Sequence, residues 1–255
     1  MTELREIVSF LDAELRTGEI PDYPNALNGL QLENRSGGVT RVVAAVDASL
    51  PVLRAAAESQ GHGGTLLIVH HGLFWQGLQR HTGPAFAKLR SAQDADLAIY
   101  SSHIPLDIHP TLGNNILLAR ALGLQNPELF FPWKGVELGV SGTIAGGRES
   151  LQERLTEAVG SRVHLCPGGP EHAGRVGIIT GGAGSEVAAI AEAGIDTFIT
   201  GEGPHWSFPL AEELGLNVLY AGHYATETFG VRALAGLLAN RFSLEQRFID
   251  RPTGL

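Results

Sequence analysis

Apolar and polar positions along the chain follow two rhythms. The first is helical. Leu4, Ile7, Val8, Leu11 and Leu15 recur every three or four residues, which predicts an amphipathic helix near the start with Thr2 as its N-cap. A loop carrying Pro21, Pro24, Asn25, Asn28 and Gly29 follows. The second rhythm is a set of short runs that are apolar throughout: residues 42–46, 66–69, 97–100, 176–179, 197–199 and 218–220. Each leads through a glycine or histidine loop into an alanine-rich helical stretch. Short continuous runs joined by helices predict strands of a largely parallel sheet covered on both faces.

The runs fall into two sets of three that resemble each other. Arg41 aligns with Arg175, Trp75 with Trp206, His103 with His223 and Asp107 with Glu227, in the same order. Parallel strands look alike by chance, but a matched His-x-x-x-carboxylate after the third strand of each set is more specific. The fold class read here is α/β: a duplicated pair of similar α/β lobes with mixed, mostly parallel sheets. Pro127, Pro132 and Trp133 mark a junction. It divides the chain into lobes 1–130 and 131–255, with the C-terminal segment free to pack back on the first lobe. Phe130, Phe131 and Trp133 suit either a core or an interface. The glycine-rich stretch 135–174 predicts edge strands and one helix around 151–159.

Composition narrows the class. The 255 residues are 44% hydrophobic with 33 glycines, as in a globular chain of one large or two small domains. The single cysteine, Cys166, excludes an internal disulfide and suits a reducing compartment. A net charge of −9 without a basic run argues against nucleic acid held by phosphate neutralisation. Charges at Glu3, Arg5, Glu6, Asp12, Glu14 and Arg16 interrupt any secretory signal. No stretch approaches the ~20 apolar residues of a membrane helix. The expectation is a soluble, cytoplasmic protein.

Three segments carry candidate chemistry. His70-His71-Gly72 directly follows an apolar run, at the carboxyl end where open α/β sheets place ligands. Neighbouring strand residues face opposite sides, so both rings reach one point only if the chain turns after Val69, as Gly72 permits. Otherwise each serves one of two neighbouring ions. Gly222-His223-Tyr-Ala-Thr-Glu227 opens a helical stretch at 226–240. A helix starting by His223 puts His223 and Glu227 at i and i+4 on one face. The alternative for Glu227 is a helix-dipole partner. Ser101-Ser102-His103-Ile-Pro105-Leu-Asp107 reads as a loop, because Pro105 blocks a regular helix. Asp107 either joins the histidines or caps a helix around 114–122. Three such loops after three related strands predict a metal site between the lobes. Imidazole with carboxylate suits Zn, Fe, Mn or a similar ion better than Mg or Ca.

The motifs Asn28-Gly-Leu-Gln-Leu, Val46-Asp-Ala-Ser, Val69-His-His-Gly-Leu-Phe-Trp, His103-Ile-Pro-Leu-Asp-Ile, Thr200-Gly-Glu and Gly222-His-Tyr-Ala-Thr-Glu stand in an order that covers residues 28–227. In these the chain resembles the Nif-three-like dinuclear-metal proteins, often labelled GTP cyclohydrolase type 2 homologues. The resemblance implies two divalent ions per chain, held by His70, His71, Asp107, His223 and Glu227, with Glu227 as the bridge. It also implies a duplicated α/β fold and a toroidal homohexamer. The chain resembles the short form that lacks an inserted domain.

Glu202 and His205 lie in Thr200-Gly-Glu-Gly-Pro-His-Trp, where Glu202 aligns with His71. They are the catalytic candidates, with Glu202 as a proton shuttle or a partner orienting a ligand imidazole. His103 is read as lining the site. His62, His81, His109, His164 and His172 are read as surface or loop residues. The loop with Gly181, Gly182, Gly184 and Ser185 lacks P-loop features and reads as a strand-to-helix turn. The functional expectation is a dinuclear metal-dependent hydrolase acting on a small molecule that the residues do not specify. The competing class is a non-catalytic metal-binding ring that stores or senses metal or scaffolds an assembly.

Overall fold

The computed structural model describes residues 1–58 and 64–255. The first part of the chain runs β1 (Thr2–Glu3), α1 (Leu4–Glu14), β2 (Gly29–Leu32), β3 (Gly38–Val39), β4 (Arg41–Asp47) and α2 (Leu50–Glu58). It continues through β5 (Thr65–His71), α3 (Gly83–Asp94), β6 (Leu97–Ser101), α4 (Ile104–Asp107) and α5 (Asn114–Ala121). Next come β7 (Gln125–Trp133), β8 (Val136–Thr143), α6 (Arg148–Val159), β9 (His164–Pro167), β10 (Arg175–Ile178) and α7 (Val187–Glu192). The last elements are β11 (Thr197–Thr200), α8 (Ser207–Glu213), β12 (Asn217–Tyr220), α9 (His223–Thr226), α10 (Thr228–Phe242) and β13 (Glu245–Phe248).

The chain divides into two units, one of Met1–Leu106 with Gly230–Arg251 and one of Asp107–Phe229 with Pro252–Leu255. The division therefore falls at Leu106 and again at Gly230, where the sequence predicts a cut near residue 130 and a C-terminal segment free to pack back on the first lobe. Sheet membership explains the difference. β7 pairs with β8 and so joins the second unit, while β13 pairs with β4 and returns to the first.

In the first unit the main sheet has the order β13-β4-β5-β6-β2. β13, β4, β5 and β6 are parallel, and β2 closes the edge antiparallel to β6. One face of these strands (Val43, Ala45, Leu67, Val69, Leu97, Ile99) packs with Val52, Leu53 and Ala56 of α2 and Ala92 of α3. The alternate residues Val42, Ala44, Leu66, Ile68, Ala98 and Tyr100 are equally buried, which is why the runs are apolar throughout. Each leucine so buried is worth roughly 2 kcal/mol. Tyr100 reaches α1 by donating its hydroxyl to Asp12 Oδ1 at 2.8 Å. Thr2 does not cap α1. It pairs with Val39 in a two-stranded ribbon, and the Leu4 N–H goes to the Gly37 carbonyl at 2.8 Å.

The second unit repeats this plan in the order β7-β8-β10-β11-β12-β9. β10, β11 and β12 are parallel, as β4, β5 and β6 are. β9 lies antiparallel on β12 as β2 does on β6, and β8 is antiparallel to β10. Phe130 is part of this unit's core, with Val187, Ile190 and Phe198, so core packing accounts for it. Both sheets are mixed: the first is largely parallel, and the second has a parallel centre of β10, β11 and β12 flanked by antiparallel strands. No helix among the described residues is long and apolar enough to cross a membrane.

Candidate metal centre

Parallel strands in register bring their carboxyl ends to one edge, and each unit collects its polar side chains there. In the first unit β4 ends in Asp47, β5 in His70-His71, and β6 leads through Ser102 to His103. The strand does not turn after Val69. β5 continues through His71, which pairs with Asp47 across the ladder. The two rings still meet, with centroids 4.9 Å apart. Each is held from a different neighbouring strand. His70 Nδ1 lies 2.9 Å from the Ser102 carbonyl, beyond β6, and His71 Nδ1 lies 2.9 Å from Asp47 Oδ1, on β4.

His103 stands in the same cluster, its centroid 4.8 Å from His70 and 5.7 Å from His71. Its Nδ1 lies 2.8 Å from Asp22 Oδ1, and its backbone N–H donates to Asn28 Oδ1 at 2.8 Å. Asp22 Oδ2 accepts from the Ile104 N–H and from Asn28 Nδ2. Burial raises the Asp22 pKa, but the His103 hydrogen bond and charge, with the Asn28 and Tyr23 hydrogen bonds, outweigh it and hold the carboxyl below its ordinary value. Trp75 covers the cluster, its ring 4.5 Å from His71 and 4.6 Å from His103. The loop expected after His103 is instead the one-turn helix α4, where Pro105 sits in the first turn and no intrahelical N–H is lost.

In the second unit α9 begins at His223, so His223 and Glu227 do share a face, with Nε2 3.0 Å from Glu227 Oε1. His223 Nδ1 lies 2.9 Å from Glu202 Oε1. Burial disfavours the charged ring, but Glu227 on one nitrogen and Glu202 on the other prevail and push its pKa up to about 9. Glu227 is 2% exposed. The glycine loop is more than a turn. Gly181 has φ +70°, and a Cβ there would collide with Glu227 Oε1, so only glycine lets the backbone pass so close. Asp107 is buried and takes a hydrogen bond from Asn114 Nδ2 at 2.8 Å and one from Thr180 Oγ1 at 3.4 Å. Asn115 Oδ1 in turn accepts the Thr180 N–H at 2.8 Å.

A cavity of about 420 Å3 opens beside Glu202, lined by His164, His205, Phe208 and Tyr220 among others. His205 is exposed at this cavity. His81, His164 and His172 are exposed, but His109 is buried, its Nδ1 accepting the Thr111 and Leu112 N–H groups in a tight turn. His62 lies outside the described residues.

The donor set consists of imidazole nitrogens and carboxylate oxygens. Cys166, the single thiol, is buried in the second unit's core. In His70, His71 and His223 a backbone or carboxylate oxygen sits at Nδ1, which fixes the ring and turns Nε2 to the ligand side. Such a set fits Zn, Fe or Mn. Sequence reasoning missed Asp22, Asp47, Asn114, Asn115 and Thr180 as supports. Asp47 alone had a local signal, its place at the end of an apolar run.

A family model for Duf34/NIF3 (NGG1p interacting factor 3) matches residues 2–253. A Deinococcus radiodurans protein named "GTP cyclohydrolase 1 type 2 homolog" is 43% identical over 98% of this chain and 94% of its own length. A Pyrococcus abyssi protein of the same name is 37% identical over 99% of this chain and its full length. The crystal structure of TTHA1606 from Thermus thermophilus superposes with a TM-score of 0.87, at 39% identity and complete coverage of both chains. With the motifs, the repeated sheet plan and these end-to-end matches in agreement, the chain belongs to the Duf34/NIF3 family.

Proposed function

We propose that the protein is a dinuclear metal-dependent hydrolase in which His70, His71, Asp107, His223 and Glu227 hold two divalent ions. One observation carries this reading. The three histidines of the set are each braced at Nδ1 by a separate oxygen, an arrangement that ligand imidazoles require and that mere burial does not. Divalent ions at such residues supply Lewis-acid activation of water and of an electrophilic carbon or phosphorus.

The chain's own residues do the rest. Glu202 keeps a proton at Nδ1 of His223, so Nε2 is the position that gives up its proton to a ligand bond. Asn114 and Thr180 donate to Asp107, and Gly181 leaves room for the Glu227 carboxylate. The cavity beside Glu202 is the place for a small-molecule substrate, with His205 at its rim in contact with it. The curated relatives carry the cyclohydrolase name only as homologues. Hydrolytic opening of a purine ring, an amide or a phosphoester would use the same residues. A homohexamer is proposed by family resemblance, and light scattering giving a mass near 27.0 kDa would contradict it.

The test is a hydrolase screen on metal-loaded protein. Activity found there should fall with Glu227→Gln together with ion content. It should also fall with Glu202→Gln, which keeps both ions. Full activity in Glu227→Gln would remove the hydrolase assignment and leave a storage, sensing or scaffold role.

A further inference from the structure

Two loops of the first unit meet at the carboxyl ends of β5 and β6. One runs through residues 22–28 ahead of β2, and the other through residues 72–77 after β5. A single side chain on β2, Gln31, joins them. Its Nε2 donates to the Ala26 carbonyl at 3.1 Å and to the Leu27 carbonyl at 3.0 Å. Its Oε1 accepts the Leu73 N–H at 2.7 Å. Two carbonyls on one side and one N–H on the other admit a single orientation of the amide. Gly72 makes the approach possible, since a Cβ there would collide with the Gln31 amide. The loops meet again at Gly77, φ +81°, where a Cβ would stand 3.6 Å from Asn25 Nδ2.

What this joint positions is Trp75. The turn that carries it is narrow, with the Trp75 N–H 3.4 Å from the Gly72 carbonyl and the Gly77 N–H 2.8 Å from the Phe74 carbonyl. The Leu73 bond therefore fixes where the indole falls, across the rings of His71 and His103 at 4.5 and 4.6 Å. Trp206 holds the matching place in the second copy, yet it is 51% exposed while Trp75 is partly buried. The covered indole is thus no by-product of the repeated plan. It needs Gln31, and β9, which takes the place of β2 in the second sheet, reads His-Leu-Cys-Pro with no amide side chain to supply the joint. The indole has no lone pair for a cation and the Gln31 amide is spent on the backbone, so the two residues cover the site without ligating.

We infer that Gln31 is the staple of a cover over the first unit's histidines, with Trp75 as its moving plate, and that opening of this cover sets how fast a divalent ion enters and leaves. The inference rests on the metal-centre reading and adds to it a control of exchange. A cover that must open for entry and for exit scales both rates alike and leaves their ratio, the Kd, unchanged. A residue that merely holds ligands in place changes the Kd instead.

The experiment strips the full-length chain with a chelator and follows Co2+ by its visible absorption in stopped flow, capture on mixing and release into excess chelator. Gln31→Met keeps the length of the side chain and removes three hydrogen bonds of modest net worth. Capture and release should both speed up roughly 10-fold at an unchanged Kd. Trp75→Ala should be at least as fast, and adding Gln31→Met to it should change nothing more, because the staple acts through the indole. A second readout needs no metal. With Trp133→Phe and Trp206→Phe, Trp75 is the one tryptophan left of three, and Gln31→Met should raise its quenching by acrylamide in the stripped protein. Circular dichroism checks each fold. Should Gln31→Met unfold, Gln31→Glu replaces it, keeping the acceptor for Leu73 but setting a carboxylate against the Ala26 and Leu27 carbonyls. It should speed both rates in the same sense. Rates or quenching unchanged in the Gln31 variant overturn the inference, as does a further acceleration on top of Trp75→Ala. So does faster release with capture as in the wild type, which makes Gln31 a support of the ligands and no gate. A wild type that takes up no Co2+ overturns the metal centre and its control together, whereas Co2+ bound and exchanged at equal rates overturns the control alone.

Discussion

Raising the pH of the chelator-stripped protein isolates one ionic contact. His223 is held between Glu202 Oε1 at 2.9 Å and Glu227 Oε1 at 3.0 Å, and its pKa moves from 6.5 to about 9. At about 1.4 kcal/mol per unit, a rise of that size is worth on the order of 3 kcal/mol. The ring is 27% exposed, so solvent screening trims this figure without cancelling it. Because the folded pKa is the higher one, the contribution is full below pH 6.5 and is lost as pH rises through about 9. Urea unfolding across that interval measures it, with His223→Gln as the reference that cannot titrate. The wild type should lose on the order of 3 kcal/mol more than the variant over the window. Parallel profiles for the two proteins would refute the argument, since groups that titrate in both cancel in the difference.

Acid should act through Asp22 in the opposite sense. Its lowered pKa gives stability that is present above pH 3.8 and lost as pH falls through the folded value, so acid unfolding should cost the wild type more than Asp22→Asn. An equal loss in both would show that the His103 contact adds nothing. Gly181→Ala should cost about 1–2 kcal/mol from the left-handed backbone and should also dislodge Glu227 and lower ion content. Gly160→Ala, at φ +66° with nothing within 4 Å, should lose similar stability in thermal melts and keep its ions. Matching ion content in the two would deny Gly181 its part in the site.

The strands that frame the site were legible because they are buried on both faces. All six apolar runs are strands, and each parallel triplet carries its His and Asp/Glu loops at the carboxyl ends. The edge strand β13 was hidden, since Glu245-Gln-Arg-Phe is largely exposed and carries no apolar alternation. The i and i+4 spacing of His223 and Glu227 was local and could be read directly. The clamp on His103 was not, because Asp22 lies 81 residues away and tertiary contacts such as the β2–β6 pairing draw the two segments together. The turn expected after Val69 failed for a similar reason. The oxygens that converge His70 and His71 come from neighbouring strands, so the strand itself has no need to bend.

The central proposal is that His70, His71, Asp107, His223 and Glu227 would hold two ions, with Glu227 shared between them as the family resemblance implies. A bridging carboxylate offsets the repulsion of two dications, so its loss weakens both positions together. Elemental analysis of the loaded protein, with anomalous scattering to place each ion, tests this most directly. Wild type should show two ions per chain, and Glu227→Gln at most one with the fold intact. Two ions retained in Glu227→Gln would contradict the bridge, and none in the wild type would contradict the metal centre itself.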